Sequence, residues 1–117
     1  MKPKSAKQKG NRLEYEVAKY YNRKLDKFAK RMPCSGAMDD FKGDILKSHW
    51  DGWKEECKSR AKMSIYDFWD QTVRQCTTEK PVLFIKANNK PILAVIRIQD
   101  YFDMREELED WRKQYDK

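Results

Sequence analysis

The pair Asp51-Gly52 sits between two runs with strand-like composition, KGDILKSHW (42–50) and WKEECKSR (53–60). An Asp-Gly pair tolerates positive φ and marks a tight reversal, so the two runs are expected to pair as antiparallel strands. Register decides which side chains share a face. A two-residue turn at Asp51-Gly52 sets Asp44 opposite Ser59, on the wrong face for Glu56. A three-residue loop, Trp50-Asp51-Gly52, with Gly52 left-handed in a bulge, sets Asp44 opposite Lys58 and brings Asp44, Glu56 and Lys58 onto one face. The second register is the one predicted.

The rest of the chain reads as alternating helix and strand. From Gly10, the apolar residues Leu13, Val17, Tyr20, Tyr21, Leu25 and Phe28 recur at helical spacing, predicting a helix to about Phe28 that ends before Pro33. Residues 1–8 lack periodicity and are expected to be a basic, disordered tail, leaving 9–117 as one domain. RMPCSGAMDDF (31–41) reads as a short extended piece and a Ser-Gly loop. A second helix is expected from about Ser64 to Cys76, with Ser64 as N-cap, Asp67 three residues on, and Ile65, Phe68, Trp69 and Val73 as its buried stripe. PVLFIKA and PILAVIRI, separated by Asn88-Asn89-Lys90, read as a buried hairpin with Pro81 and Pro91 at the strand starts. A last helix opens at Asp100 and carries the stripe Met104, Leu108, Trp111 and Tyr115. The order α-β-β-β-α-β-β-α implies an α/β fold, a mixed sheet flanked by helices.

Charge narrows the partners. The chain has a formal charge of +7 and a pI of about 9.3. The first 31 residues carry eleven Lys or Arg against three acids, and the last 19 carry four bases against seven acids. That balance favours a polyanion, either nucleic acid or an anionic membrane surface. No apolar run approaches the ~20 residues needed to span a bilayer, and the basic helix needs its apolar stripe for the core, so no membrane role is expected. Cys34, Cys57 and Cys76 are odd in number and widely spaced, and MKPKSAKQKG lacks an apolar signal core. A reducing cytoplasm is expected, a host's if the chain is viral. With no C-x-x-C pair and His49 the only histidine, zinc is not expected.

The chemistry concentrates at Glu56-x-Lys58 and Asp44. Residues i and i+2 of a strand share a face, and a cross-strand neighbour lies within reach of both. Two carboxylates with the main-chain carbonyl of Cys57 form a hard oxygen donor set suited to Mg²⁺, with Mn²⁺ able to substitute. A metal there would lower the pKa of a bound water and stabilise charge on a phosphate. Lys58 would orient the attacking water and neutralise developing negative charge. An acid and a lysine two apart are also common on a solvated strand face.

A wider pattern adds specificity. Lys9-Gly10-Asn11-Arg12-Leu13-Glu14, then Ser35-Gly36, then Gly43-Asp44-Ile45, then Glu56-Cys57-Lys58-Ser59-Arg60 resembles the archaeal-type Holliday junction resolvases of the PD-(D/E)xK nuclease superfamily, over roughly residues 9–75. The resemblance implies a restriction-endonuclease-like sheet and a structure-selective endonuclease that resolves four-way DNA junctions with Mg²⁺. It also implies that Glu14 completes the metal site and that Ser35 approaches the scissile phosphate. Asp44, Glu56 and Lys58 would be the catalytic core, and Lys9, Arg12 and Arg60 would contact DNA. Gln71 or Gln75 would match a glutamine seen in many members; Gln71 is counted among the DNA contacts. Gly43 departs from the usual proline before the aspartate, and nothing after residue 80 aligns.

Symmetric cutting of a junction needs two active sites, so a C2 homodimer is expected. Two alternatives stay open: the same nuclease fold on another DNA substrate, as a nicking enzyme or exonuclease, and a non-catalytic basic DNA-binding protein. His49 reads as a surface or strand-end residue, Glu55 as a structural or surface charge, and the four tryptophans as core or interface.

Overall fold

The computed structural model describes residues 6–33 and 43–115. Helix α1 (Ala6–Lys24) is followed by β1 (Lys30–Arg31), β2 (Ile45–Leu46), β3 (Trp53–Ser59), α2 (Ile65–Gln75), β4 (Lys80–Lys86), β5 (Leu93–Val95) and α3 (Ile98–Tyr115). The order is the one expected, and the architecture is consistent with a restriction-endonuclease-like α/β fold.

Helix α1 begins at Ala6, so 6–8 are helical rather than tail. It also ends four residues sooner than expected. The Leu25 and Asp26 N–H groups both bond the Tyr21 carbonyl, and the chain turns. Asp26 fixes that turn, accepting hydrogen bonds from the Phe28 and Ser48 backbone N–H groups and the Ser48 hydroxyl. Leu25 and Phe28 therefore lie exposed instead of extending the stripe, and Tyr20 is also exposed. What α1 buries is Leu13, Val17 and Ala18, which form the core with Ala29, Ile45 and Cys57 of β3.

β3 and β4 run parallel, in register from Trp53↔Lys80 to Ser59↔Lys86, with α2 as the crossover between them. β4 and β5 form the expected antiparallel hairpin, pairing Leu83↔Val95, Phe84↔Ala94 and Ile85↔Leu93, and Asn89 takes a positive φ in its turn. Only the β4 half is buried. Leu83 is fully enclosed, whereas Leu93 and Ala94 are exposed on the sheet edge.

The hairpin expected at Asp51-Gly52 takes a different form. β2 pairs with β1, through Lys30↔Leu46 and Arg31↔Ile45, and not with β3. The loop is wider than three residues because Lys47 turns its ammonium into it. There it meets the Asp51 carboxylate, the Trp53 carbonyl at 2.7 Å and Glu55 at 2.8 Å. Asp51 also accepts the Trp53 N–H. Gly52 does hold φ +87°, as its expected left-handed role required. The backbone bond from the Asp44 N–H to the Glu55 carbonyl, 2.9 Å, ties the runs together and sets Asp44 beside Glu55–Cys57 rather than opposite Lys58.

The apolar stripe of α2 also differs. In α2, Ile65 and Val73 are exposed, Phe68 and Trp69 half-buried, and the buried residue is Thr72, whose hydroxyl bonds the Phe68 carbonyl at 2.8 Å. Ser64 caps no backbone N–H and instead bonds Asp67 at 2.5 Å. In α3 every residue from Tyr101 to Tyr115 is exposed. None of the four tryptophans is fully buried.

Candidate active site

β3 supplies the frame. In a parallel ladder each residue sends its N–H and C=O to the same side, and alternate residues face opposite sides. The Gly52 carbonyl and Arg60 N–H bond β4. Even-numbered residues of β3 thus spend their backbone groups on β4, while Glu55 and Cys57 direct theirs to the opposite edge. There the Asp44 N–H takes the Glu55 carbonyl, and the Asp44 carboxylate accepts the Cys57 N–H at 2.6 Å. The Cys57 carbonyl therefore opens on the same edge as Asp44.

Gly43 makes this approach possible. It holds φ +107°, out of reach for a proline, and a Cβ there would lie 3.1 Å from Lys54 Cγ and 3.3 Å from the Glu55 carbonyl. The departure from the usual proline is thus a change of backbone path, with the aspartate delivered by a glycine pressed against β3.

Three carboxylates gather around this edge. Glu14 comes from the buried face of α1, one turn before Val17. It hydrogen-bonds with Asp44 and is held by Arg31, whose guanidinium is 3.2 Å away and also bonds Asn11 at 2.8 Å. Burial and then the charge of Asp44 raise its pKa to about 7, against the opposing pull of Arg31. Glu56, on β3, is likewise pushed up to about 7 by burial and by Asp44, while Lys58 and a hydrogen bond with Gln75 act the other way. Lys58 Nζ lies 3.5 Å from Glu56 and 5.5 Å from the centre of the Phe68 ring. Arg60 packs over the same ring and bonds the Ser59 carbonyl.

Two buried acids whose pKa is raised beside a third carboxylate favour a proton or a cation among them. Asp44, Glu56, Glu14 and the Cys57 carbonyl are hard oxygen donors of the kind that fit Mg²⁺ or Mn²⁺. Among the described residues no group of three His, Cys, Asp or Glu side chains is drawn close enough to hold an ion as they stand. Glu14 is engaged with Arg31 and Asp44, and Glu56 with Lys58 and Gln75.

Of the residues singled out in the sequence, Glu14, Asp44, Glu56 and Lys58 meet at this edge. Ser35 lies outside the described residues. Of the two glutamines, Gln75 is the one hydrogen-bonded with Glu56, and its Oε1 is buried without a partner. Periodicity missed it because the inner face of α2 runs through Phe68, Thr72 and Gln75 and is half polar. Lys9 and Arg12 line an open groove of about 510 Å³ with Glu16, Ser59, Lys86 and Asn88, and Lys9 Nζ reaches Asn88 at 3.3 Å. Arg12 pairs with Glu16. The β4–β5 turn, read from the sequence only as a hairpin turn, thus forms one bank of this groove.

Glu55 points away from Glu56. It is fully buried, accepts from the Tyr21 hydroxyl at 2.5 Å and pairs with Lys47, which makes it a structural charge. His49 sits at the surface, 3.6 Å from Asp26.

Comparison with known proteins found no match among curated proteins or solved structures. One family model matches residues 5–116, nearly the whole chain, and carries the description "Phage putative PDDEXK endonuclease". That match supports the PD-(D/E)xK superfamily without singling out the archaeal resolvase type. The chain therefore belongs to the phage PDDEXK endonuclease family.

Proposed function

We propose that the protein is a Mg²⁺-dependent endodeoxyribonuclease that cuts branched DNA, with four-way junctions as its preferred substrate. The observation that carries the catalytic reading is the convergence of buried Glu14, Asp44 and Glu56 on one strand edge with Lys58 beside them.

Asp44, Glu56 and the Cys57 carbonyl would hold the ion, with Glu14 completing the set once it parts from Arg31. Such an ion supplies charge to stabilise the phosphate and lowers the pKa of water at the site. Asp44 is fixed for this by the Cys57 N–H, so its position costs no rearrangement. Lys58 is kept near Glu56 by charge and against Phe68 by its ring face. It is placed to orient the attacking water and offset negative charge on the phosphate. The Lys9–Arg12 groove, lined also by Ser59 and Lys86, offers a track for the DNA backbone, while Arg60 lies with Lys58 over the Phe68 ring.

Junction preference rests on the sequence resemblance. Two symmetric cuts need two copies of the site, hence a homodimer. The groove would also take the backbone of an ordinary duplex, which keeps a second reading open: the same chemistry on linear or nicked DNA. A purely binding role fits poorly, since acids beside a phosphate track weaken binding unless a cation lies between.

A labelled four-way junction and a matched linear duplex, each with Mg²⁺ or EDTA, test these readings. Paired nicks in the junction alone support resolution. Equal cutting of both substrates leaves the nuclease and removes the junction preference.

A further inference from the structure

Helix α3 leaves the domain with an apolar face that nothing among the described residues covers. Arg97 pairs with Asp100 at 3.1 Å and the Tyr101 N–H bonds the Arg97 carbonyl, so the first turn is anchored, and Asp100 is buried. Beyond it, Tyr101, Met104, Leu108, Trp111 and Tyr115 are 41–68% exposed. An 18-residue helix spans roughly 27 Å at 1.5 Å per residue, and most of a protein helix's stability comes from packing its apolar face.

The spacing of those five residues specifies the kind of cover. They fall at intervals of 3, 4, 3 and 4, the two-position seam of a coiled coil rather than the broader stripe of a helix lying on a sheet. The intervals fix Tyr101, Leu108 and Tyr115 at a and Met104 and Trp111 at d. Position e is then Arg105 and Arg112, and position g is Asp100, Glu107 and Gln114. The outward positions are Asp103, Glu106, Glu109, Asp110 and Lys113, with Phe102 the exception.

The flanking charges choose orientation. In a parallel pair each g residue meets the e residue five positions on in the other helix. Glu107 would then face Arg112 of a second copy, a pair repeated by symmetry, while the buried Asp100 stays with Arg97 in the anchored first turn. An antiparallel pair sets e against e and g against g, arginine against arginine and acid against acid. A heterologous partner would have to match this self-complementary pattern by coincidence.

We infer that α3 joins two copies of this chain through a parallel two-stranded coiled coil along Tyr101–Tyr115. The seam gives the two nuclease sites a common two-fold axis running along the helices. It does not depend on the cleavage reading, because mass and cross-linking report on the seam whether or not DNA is cut.

Sedimentation of the full chain at micromolar concentration is expected to show twice the 14.1 kDa chain mass. Leu108→Glu should return it to monomer with unchanged circular dichroism outside α3. Glu107→Arg alone and Arg112→Glu alone should each weaken the dimer at least tenfold, and the two together should restore it. Tyr115→Cys should form a disulfide-linked dimer on mild oxidation, since only a parallel pair sets residue 115 beside its own copy. A wild-type monomer, a dimer that survives Leu108→Glu, or a double charge swap that fails to recover would each overturn the inference. So would a Tyr115→Cys chain that stays uncrosslinked while dimeric.

Discussion

The Asp44 carboxylate accepts the backbone N–H of Cys57 at 2.6 Å, which ties the acid to the strand that carries Glu56 and Lys58. An asparagine Oδ1 can accept the same bond, so Asp44→Asn should leave the fold intact while removing the charge. Cleavage is expected to fall at least ~100-fold, the scale of losing a group that stabilises transition-state charge. Because Asp44 raises both Glu14 and Glu56, their titration midpoints should also move down from about 7, readable by carboxyl NMR. Unmoved midpoints would mean that Asp44 is not their charged neighbour.

Glu14 and Glu56 make the metal-free protein sensitive to pH. Each binds its proton more tightly folded than unfolded, with a midpoint near 7 against a usual 4.5. Between those values the folded state holds more protons than the unfolded one, so stability declines as pH rises through the window. Thermal unfolding in EDTA should therefore give a higher Tm at pH 5 than at pH 7.5. Mg²⁺ or Mn²⁺ should recover stability at the higher pH, by replacing the protons between the acids. A Tm that rises from pH 5 to 7.5 in EDTA contradicts this.

Gly43 and Gly10 should respond oppositely to alanine. At Gly43 a Cβ combines a φ of +107° with contact on Lys54 and the Glu55 carbonyl, so Gly43→Ala should destabilise by about 1–3 kcal/mol. Gly10 lies within α1 with open space around it, so Gly10→Ala should stabilise by about 0.5–1 kcal/mol. Denaturant midpoints read both. If Gly10→Ala gains stability yet loses DNA affinity, that glycine is kept for close approach of a phosphate.

The Glu55–Lys47 pair is buried, and removing one partner strands the other charge. Lys47→Met should cost about 3–5 kcal/mol, more than Tyr21→Phe, which removes one hydrogen bond to Glu55 and should cost about 1–2 kcal/mol. Equal losses in chemical denaturation would argue against that ranking.

Much of this arrangement was legible in the residues. The β3 alternation placed Glu56 and Lys58 together, and the order of helices and strands followed from periodicity and turn residues. The β2–β3 register did not, because it depends on the Lys47 side chain filling the loop, a tertiary choice that an Asp-Gly signal cannot encode. The choice between Gln71 and Gln75 stayed open for a related reason: α2 buries Thr72 and half-buries Gln75 while Ile65 and Val73 face water, so a search for apolar spacing points to the wrong side. In α3 the spacing was readable, but whether that stripe serves the core or an interface was not; among the described residues nothing packs along it.

The most direct test is cleavage of a labelled four-way junction by the wild-type chain in Mg²⁺, set against EDTA and against Lys58→Ala in Mg²⁺. Metal-dependent nicks that disappear in Lys58→Ala are the expected result. Intact DNA in both Mg²⁺ and Mn²⁺, with binding equally strong in EDTA, would contradict the assignment of Asp44, Glu56 and Lys58 as a cleavage site.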